Sequence, residues 1–290
     1  MNRIVVFGLW LVHWLPLPVL NALGHALGWV LYRVARRRRH IVGVNLRLCF
    51  PSLNHSGRRK LAQAHFAALG CSLVERGLLW WSSEKRLRSF IRVENEEILQ
   101  RLYDAGQPVI LLAPHFLGLD AGGARIAMRF DSLSVYSRQS DPVIDRWLLH
   151  GRTRFGDQKL IARDEGVRST VRLMKSGRPF YYLPDMNAKR KEAMFAPFFG
   201  IQAATISGLP RLARLAGAVV VPCPTRRLPG GKGYVVELGE PWENYPSGDV
   251  EADIVRMNAW IESVVRTMPE QYYWVHRRFK TRPEGEARPY

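Results

Sequence analysis

Strand-like and helical segments alternate along most of this 290-residue chain, and that alternation predicts an α/β fold with a mainly parallel sheet flanked by helices. Two further observations shape the prediction. Glycine and proline fall where the segments should stop, at Gly177 to Pro179 and at Gly217. An apolar stretch from Ile4 to Ala35, followed by Arg36, Arg37, Arg38 and Arg39, predicts an N-terminal hydrophobic membrane-anchor helix ahead of the sheet. The division that follows is residues 1–40 as anchor and basic flank, and 41–290 as a single domain.

Within the first segment, Pro16 and Pro18 interrupt the apolar run, and Asn21 and His25 dilute it. A secretory signal would carry its charge before the apolar region, so that reading fits poorly. Two arrangements fit better: a single span with the arginines on the cytoplasmic side, or a broken helix lying in the interface with Trp10, Trp14 and Trp29 at headgroup level. The prolines favour a kinked, half-inserted anchor, and an ordinary core helix is the remaining alternative.

Arg58 to Trp81 carries Leu61, His65, Phe66, Leu69, Leu73 and Val74 at helical spacing and ends in the apolar tip Gly77 to Trp81. Glu94 to Asp104 is a second helical pattern, stopped at Gly106. Strands are expected at Val109–Ala113, Leu133–Ser137, Phe180–Leu183, Ala218–Pro222 and Gly233–Leu238. Helices are expected at Asp120–Arg129, Val143–Arg154, Val167–Lys175, Thr205–Leu215 and Ala252–Thr267. The Gly230, Gly231, Lys232, Gly233 run reads as a hairpin turn.

Composition narrows the partners. Forty-three basic residues against 25 acidic give a net charge of +18, which suits nucleic acid, an anionic membrane surface or an acidic protein or ligand. No acid precedes Glu75, and the basic cluster adjoins the apolar segment, which favours anionic lipid; no nucleic-acid module is recognisable. Cys49, Cys71 and Cys223 are odd in number, widely spaced and set among apolar residues. They suit reduced, buried thiols and form no metal pattern.

The chemistry centres on Pro108 to Gly123. A short apolar strand ends at Pro114, which cannot take part in a ladder, and releases His115 and then Asp120. Strand ends are where open α/β sheets hold their reactive groups, and an imidazole supported by a carboxylate can take a proton from a hydroxyl. Spacing alone does not decide this, since composition predicts about 0.7 chance occurrences of His followed five residues later by Asp or Glu. A structural hydrogen bond at a strand end is the equal alternative. No nucleophile elbow, phosphate loop or zinc-binding helix motif is present. Direct attack by a substrate hydroxyl is therefore the simplest use of His115. Arg138, Arg152, Arg154 and the Lys189, Arg190, Lys191 run lie in loops expected near that strand end, and arginine suits a phosphorylated acceptor.

Those residues resemble a known family, the late acyltransferases of lipid A biosynthesis (lauroyl/myristoyl type) within the glycerolipid acyltransferase superfamily. The matching pieces run in order: His115 to Asp120, Val135 to Pro142, Gly151 to Arg154, Tyr181 to Asp185, Phe195 to Gly200 with Ala203 to Thr205, and Pro269 to Pro283. The resemblance covers roughly 44–283 and implies a glycerolipid-acyltransferase-like fold. It also implies transfer of a fatty acyl chain from acyl carrier protein to the hydroxyl of a 3-hydroxyacyl chain on a Kdo-bearing lipid A precursor, at the cytoplasmic face of the bacterial inner membrane.

His115 is then the base and Asp120 its orienting partner. Arg138 is the candidate for acceptor phosphate or carboxylate, with Arg152 and Arg154 nearby, and Asp185 matches a family aspartate near the site. The carrier thioester supplies the activation, so no metal or other cofactor is implied. Trp80, Trp81, Phe116 and Leu117 are candidates to line an acyl groove. Two departures stand out: Asn187 occupies the place of a second family carboxylate, and Ser137 displaces Arg138 by one position. A non-catalytic lipid-binding scaffold and a nucleic-acid binder are the alternatives from other classes.

Overall fold

The computed structural model describes residues 2–162 and 166–290. Four helices open the chain: α1 (Asn2–Val12), α2 (Leu17–Val34), α3 (Arg36–Cys49) and the long α4 (His55–Trp81). Asn54 caps α4, its side chain accepting from the Gly57 N–H. The short α5 (Glu84–Phe90), β1 (Ile91–Glu94) and α6 (Glu96–Asp104) lead into β2 (Val109–Leu112). Strands and helices then alternate: α7 (Leu119–Ala127), β3 (Leu133–Tyr136), α8 (Pro142–Thr153), β4 (Lys159–Ala162), α9 (Val167–Lys175) and β5 (Phe180–Tyr182). A hairpin, β6 (Ala193–Phe198) and β7 (Ile201–Ile206), precedes α10 (Gly208–Ala216) and β8 (Val219–Pro222). Then come β9 (Thr225–Arg227), β10 (Tyr234–Glu237) and α11 (Val250–Thr267).

The central sheet has the order β4-β3-β5-β2-β8, and every pairing in it is parallel. Alternate residues of its strands enter opposite cores. Ile110, Leu112, Phe180 and Val220 pack with Ile254, Ile261 and Val265 of α11, while Leu111, Tyr181 and Val221 pack with Leu78 of α4 and Ala124 of α7. Burial on both faces is what a parallel sheet requires, and it explains why β2 reads as a continuous apolar run. A second sheet, β1-β10-β9, is mixed, with the predicted turn at 230–233 closing the β9–β10 hairpin. Thr205 lies in β7 rather than opening a helix, because the β6–β7 ladder continues to the Ala193–Ile206 pair. Cys49, Cys71 and Cys223 are buried free thiols.

The expected N-terminal membrane anchor is overturned. Among the described residues no helix is long and apolar enough to cross a membrane. Pro16 divides the apolar stretch into helices of 11 and 18 residues. The first rises only about 16 Å against the roughly 30 Å of a bilayer core. The second commits one face to protein: Leu20, Gly24 and Gly28 are buried, and a Cβ on Gly24 or Gly28 would strike the α4 backbone at Cys71, or at Phe66 and Ala67. A Cβ on Gly70 of α4 would strike the Gly24 carbonyl in turn. These glycines let two helices approach at backbone distance, so α2 is a core helix on one side. Its other side, α1 and the turn between them leave Ile4, Trp14, Trp29 and Val34 more than half exposed.

The candidate active site

Parallel register builds the site. β2 lies beside β5 with Leu112 opposite Tyr182, and each chain runs three residues further before its reactive side chain appears. His115 therefore meets Asp185, 70 residues away in sequence, at the carboxyl ends of two adjacent strands. β2 also marks where the strand order turns back, with β5 on one side and β8 on the other, the position where such sheets leave a crevice.

His115 Nδ1 lies 2.7 Å from a carboxylate oxygen of Asp185, and the His115 backbone N–H donates to the same carboxylate at 3.0 and 3.2 Å. Asp185 is 1% exposed, while the His115 side chain remains 20% exposed. Burial pushes the Asp185 carboxyl upward, but His115's charge and hydrogen bonds, with the Tyr272 hydroxyl, outweigh it and leave the group below the ordinary carboxylate range. The ionised carboxylate accepts Nδ1–H, which leaves Nε2 as the basic nitrogen.

The hydrogen bond expected from Asp120 is thus made by Asp185. Asp120, in the first turn of α7, receives the Arg152 guanidinium instead, Nε at 3.0 Å and Nη2 at 2.8 Å, and Arg76 of α4 approaches to 3.5 Å. Burial again works against the Asp120 charge, and Arg152, Arg76 and the more distant His115 reverse it, so its carboxyl is depressed overall. The local sum is one carboxylate between two guanidiniums, a net positive patch in the field of the imidazole.

The other expected residues separate. Arg154 points away, donating to the carbonyls of Leu79 and Ser82 at 2.9 and 2.7 Å, where it satisfies the C-terminal end of α4. Arg138 is exposed in the loop after β3. Arg190 reaches Glu284 at 3.5 Å on the surface. Phe116, Leu117 and Trp80 are buried in the core, whereas Trp81 stays half-buried against Trp147 with ring centroids 4.7 Å apart. Asn187 is held by the chain's end: its backbone N–H donates to His276 Nε2 at 2.9 Å, and its side chain exchanges hydrogen bonds with Thr281. Among the described residues no group of His, Cys, Asp or Glu could hold a metal ion.

Arg76 and Tyr272 were not singled out by sequence. Arg76 had a signal, since Glu75 and Arg76 are the only charges between Lys60 and Trp81 on a largely apolar helix. Glu75 is consumed in a buried pair with Arg227 at 2.7 Å, reinforced by the Tyr234 hydroxyl.

The family model for bacterial lipid A biosynthesis acyltransferases matches residues 1–281. The chain belongs to that family. It is 36% identical to the lipid A biosynthesis lauroyltransferase of Escherichia coli K12, over 96% of this chain and 90% of that protein. Similarity to the palmitoleoyltransferase of the same strain is 34%, over 97% and 92%. To its myristoyltransferase it is 28%, over 94% and 83%. This member of the family is therefore an acyltransferase of lipid A biosynthesis. Membership favours the enzyme over the non-catalytic lipid-binding scaffold that the lost second carboxylate at Asn187 left open.

Proposed function

We propose that this acyltransferase moves a fatty acyl chain from acyl carrier protein to the hydroxyl of a 3-hydroxyacyl chain on a Kdo-bearing lipid A precursor, with His115 as the general base. The observation that carries the reading is the His115–Asp185 pair, a partly exposed imidazole held by a fully buried carboxylate at the carboxyl ends of two adjacent parallel strands. His115 Nε2 takes the hydroxyl proton as the oxygen attacks the thioester carbonyl. The tetrahedral intermediate then collapses, the carbon–sulfur bond breaks, and the departing thiolate recovers the proton from the imidazolium. Asp185 stays ionised throughout and stabilises the imidazolium.

Asp120 has a different task in this scheme. It fixes Arg152 and Arg76 at the first turn of α7, where their surplus positive charge suits the developing oxyanion or an acceptor phosphate. Arg138, exposed near the same sheet end, is a further contact for acidic groups of the acceptor. The thioester provides the driving force, so the scheme uses no metal or other cofactor. A net charge of +18 supports docking of an acidic carrier protein and an anionic lipid surface. The exposed side chains of Ile4, Trp14 and Trp29 support contact at the surface of the inner membrane, on its cytoplasmic face where carrier protein is found.

The test is His115→Ala, purified and assayed with acyl carrier protein loaded with laurate and a tetraacylated, Kdo-bearing precursor. Loss of transfer by about 10²–10⁴-fold with an unchanged melting temperature is expected. Turnover near that of the unaltered enzyme refutes the assignment.

A further inference from the structure

Helix α8 sends its arginines to two different neighbours. Arg152 and Arg154 lie about 200° apart around its last turn, so they face nearly opposite sides. Arg152 reaches the Asp120 carboxylate of α7 at 2.8 Å, and Arg76 of α4 meets the same carboxylate at 3.5 Å. Arg154, the residue that ends α8, turns back to α4: its Nη1 donates to the Leu79 carbonyl at 2.9 Å and its Nη2 to the Ser82 carbonyl at 2.7 Å. Between them, His150 Nε2 lies 3.1 Å from the Trp80 carbonyl. The Ser82 N–H donates to the Leu78 carbonyl, so α8 supplies partners for the carbonyls that follow it. Three helices are thereby closed into a triangle: α4 to α7 through Arg76, α7 to α8 through Asp120 and Arg152, and α8 to α4 through Arg154 and His150.

We infer that Arg154 is a positioning residue for acyl transfer: it ties the last turn of α8 to the end of α4 and so aims Arg152 at Asp120. The inference rests on the proposed use of Arg152 and Arg76 as contacts for an acceptor phosphate or the developing oxyanion. The end of a helix frays unless its last residues are held, and Arg152 lies in the last turn of α8. A side chain as long as arginine is aimed only when the backbone beneath it is fixed. Arg154 fixes that backbone with two hydrogen bonds from a planar fork, placed where the terminal carbonyls of α4 gather partial negative charge. The Arg152 side chain stays 34% exposed and that of Asp120 19%, so the group that Arg154 orients remains open to a ligand.

Packing along the same seam supports the clamp. Gly151, next to Arg152, is buried, and a Cβ there would strike the Trp80 ring. One turn earlier, Trp147 lies against Trp80 and Trp81, with ring centroids 6.0 and 4.7 Å apart. The α8 backbone therefore approaches α4 closely beside Arg152, and a shift of α8 along α4 would carry that guanidinium off Asp120. Both prongs of the Arg154 fork face α4, so any effect of Arg154 on the acceptor has to pass through Arg152.

The experiment uses Arg154→Ala in the full-length enzyme, with Asp120→Asn and the double variant beside it. All are assayed with laurate-loaded acyl carrier protein and the tetraacylated, Kdo-bearing precursor. Arg154→Ala should raise the acceptor KM about tenfold, less than the roughly hundredfold that a misplacement of about 1 Å can cost. The KM for acyl carrier protein should stay unchanged. In the Asp120→Asn background Arg152 is already released, so the same substitution should add less than about a twofold rise. A merely structural loss would weigh equally on both backgrounds. Where Asp120→Asn raises the acceptor KM, an Arg154→Ala enzyme that leaves it unaltered, or that costs the same in both backgrounds, overturns this inference and spares the reading of Arg152. An Asp120→Asn enzyme of unaltered KM and kcat overturns both. If Arg154→Ala melts early, Arg154→Lys takes its place, since it keeps the stem and the charge but loses the fork. An unraised acceptor KM in that variant counts against the inference equally.

Discussion

Replacing Asp185 by asparagine isolates what the buried carboxylate contributes. Asparagine matches the shape of aspartate and keeps one oxygen that both His115 Nδ1–H and the His115 backbone N–H reach, so the 2.7 Å and 3.2 Å contacts can survive. What is lost is charge. Coulomb's law at the observed 2.7 Å separation, with an effective dielectric of about 20, gives about 6 kcal/mol of attraction between carboxylate and imidazolium. The neutral hydrogen bond that remains is worth only about 1 kcal/mol. Part of the difference is offset because the variant no longer buries a charge, leaving about 3–5 kcal/mol, or roughly 10²–10⁴ in kcat. The assay is steady-state acyl transfer with a thermal melt on the same preparation. Asp120→Asn provides the contrast: it releases Arg152 and Arg76 rather than the imidazole, so its expected effect falls mainly on the acceptor KM. If Asp120→Asn abolishes kcat while Asp185→Asn stays within threefold of the parent, the roles argued for the two carboxylates are reversed.

Three other outcomes follow from packing and linkage. Gly70→Ala should cost about 1–3 kcal/mol in denaturant unfolding, because a Cβ there forces α2 off α4 at Gly24 and Gly28; an unchanged midpoint contradicts the close-approach argument. Glu75→Gln leaves the buried Arg227 guanidinium without its counter-charge and should destabilise by about 3–5 kcal/mol, whereas a loss under 1 kcal/mol would show that the pair is dispensable. Stability should also fall as pH drops from about 6.5 to about 4. Burial lowers His65 and His276 to about 4 in the folded state, so the unfolded chain takes up protons first across that window. His65 alone accounts for about 3 kcal/mol. The depressed carboxyls of Asp120 and Asp185 add stability that is present above the ordinary aspartate range and lost only at lower pH still. A melting temperature flat between pH 6.5 and 4.5 would contradict the buried, neutral histidines.

Much of the fold was legible from local pattern. Val109 to Ala113 announced a doubly buried strand, the glycines at 106, 177 and 217 ended helices, and α9 falls where its periodicity placed it. Less legible were β4, with only Lys159 to Ala162 to show, and the β6–β7 hairpin, whose Phe195 to Gly200 reads in sequence as a motif rather than a strand. Apolarity alone does not separate a membrane anchor from a core helix, because it does not say what the apolar face packs against. Gly24, Gly28 and Gly70 carry the answer only when α2 and α4, separated in sequence by all of α3, are laid together.

Sequence by itself determined the chemistry on offer: an imidazole released by a proline at a strand end, carboxylates and guanidiniums in the following loops, and a family's motifs in order. Which carboxylate serves the imidazole was decided by tertiary structure alone. Asp120 is five residues from His115 along the chain and Asp185 is 70, yet strand β5 lies beside β2 in register, and register sets the neighbours. Periodicity reports which face of a strand is buried; it carries no information about which other strand lies next to it, because that choice is made by the packing of the whole sheet.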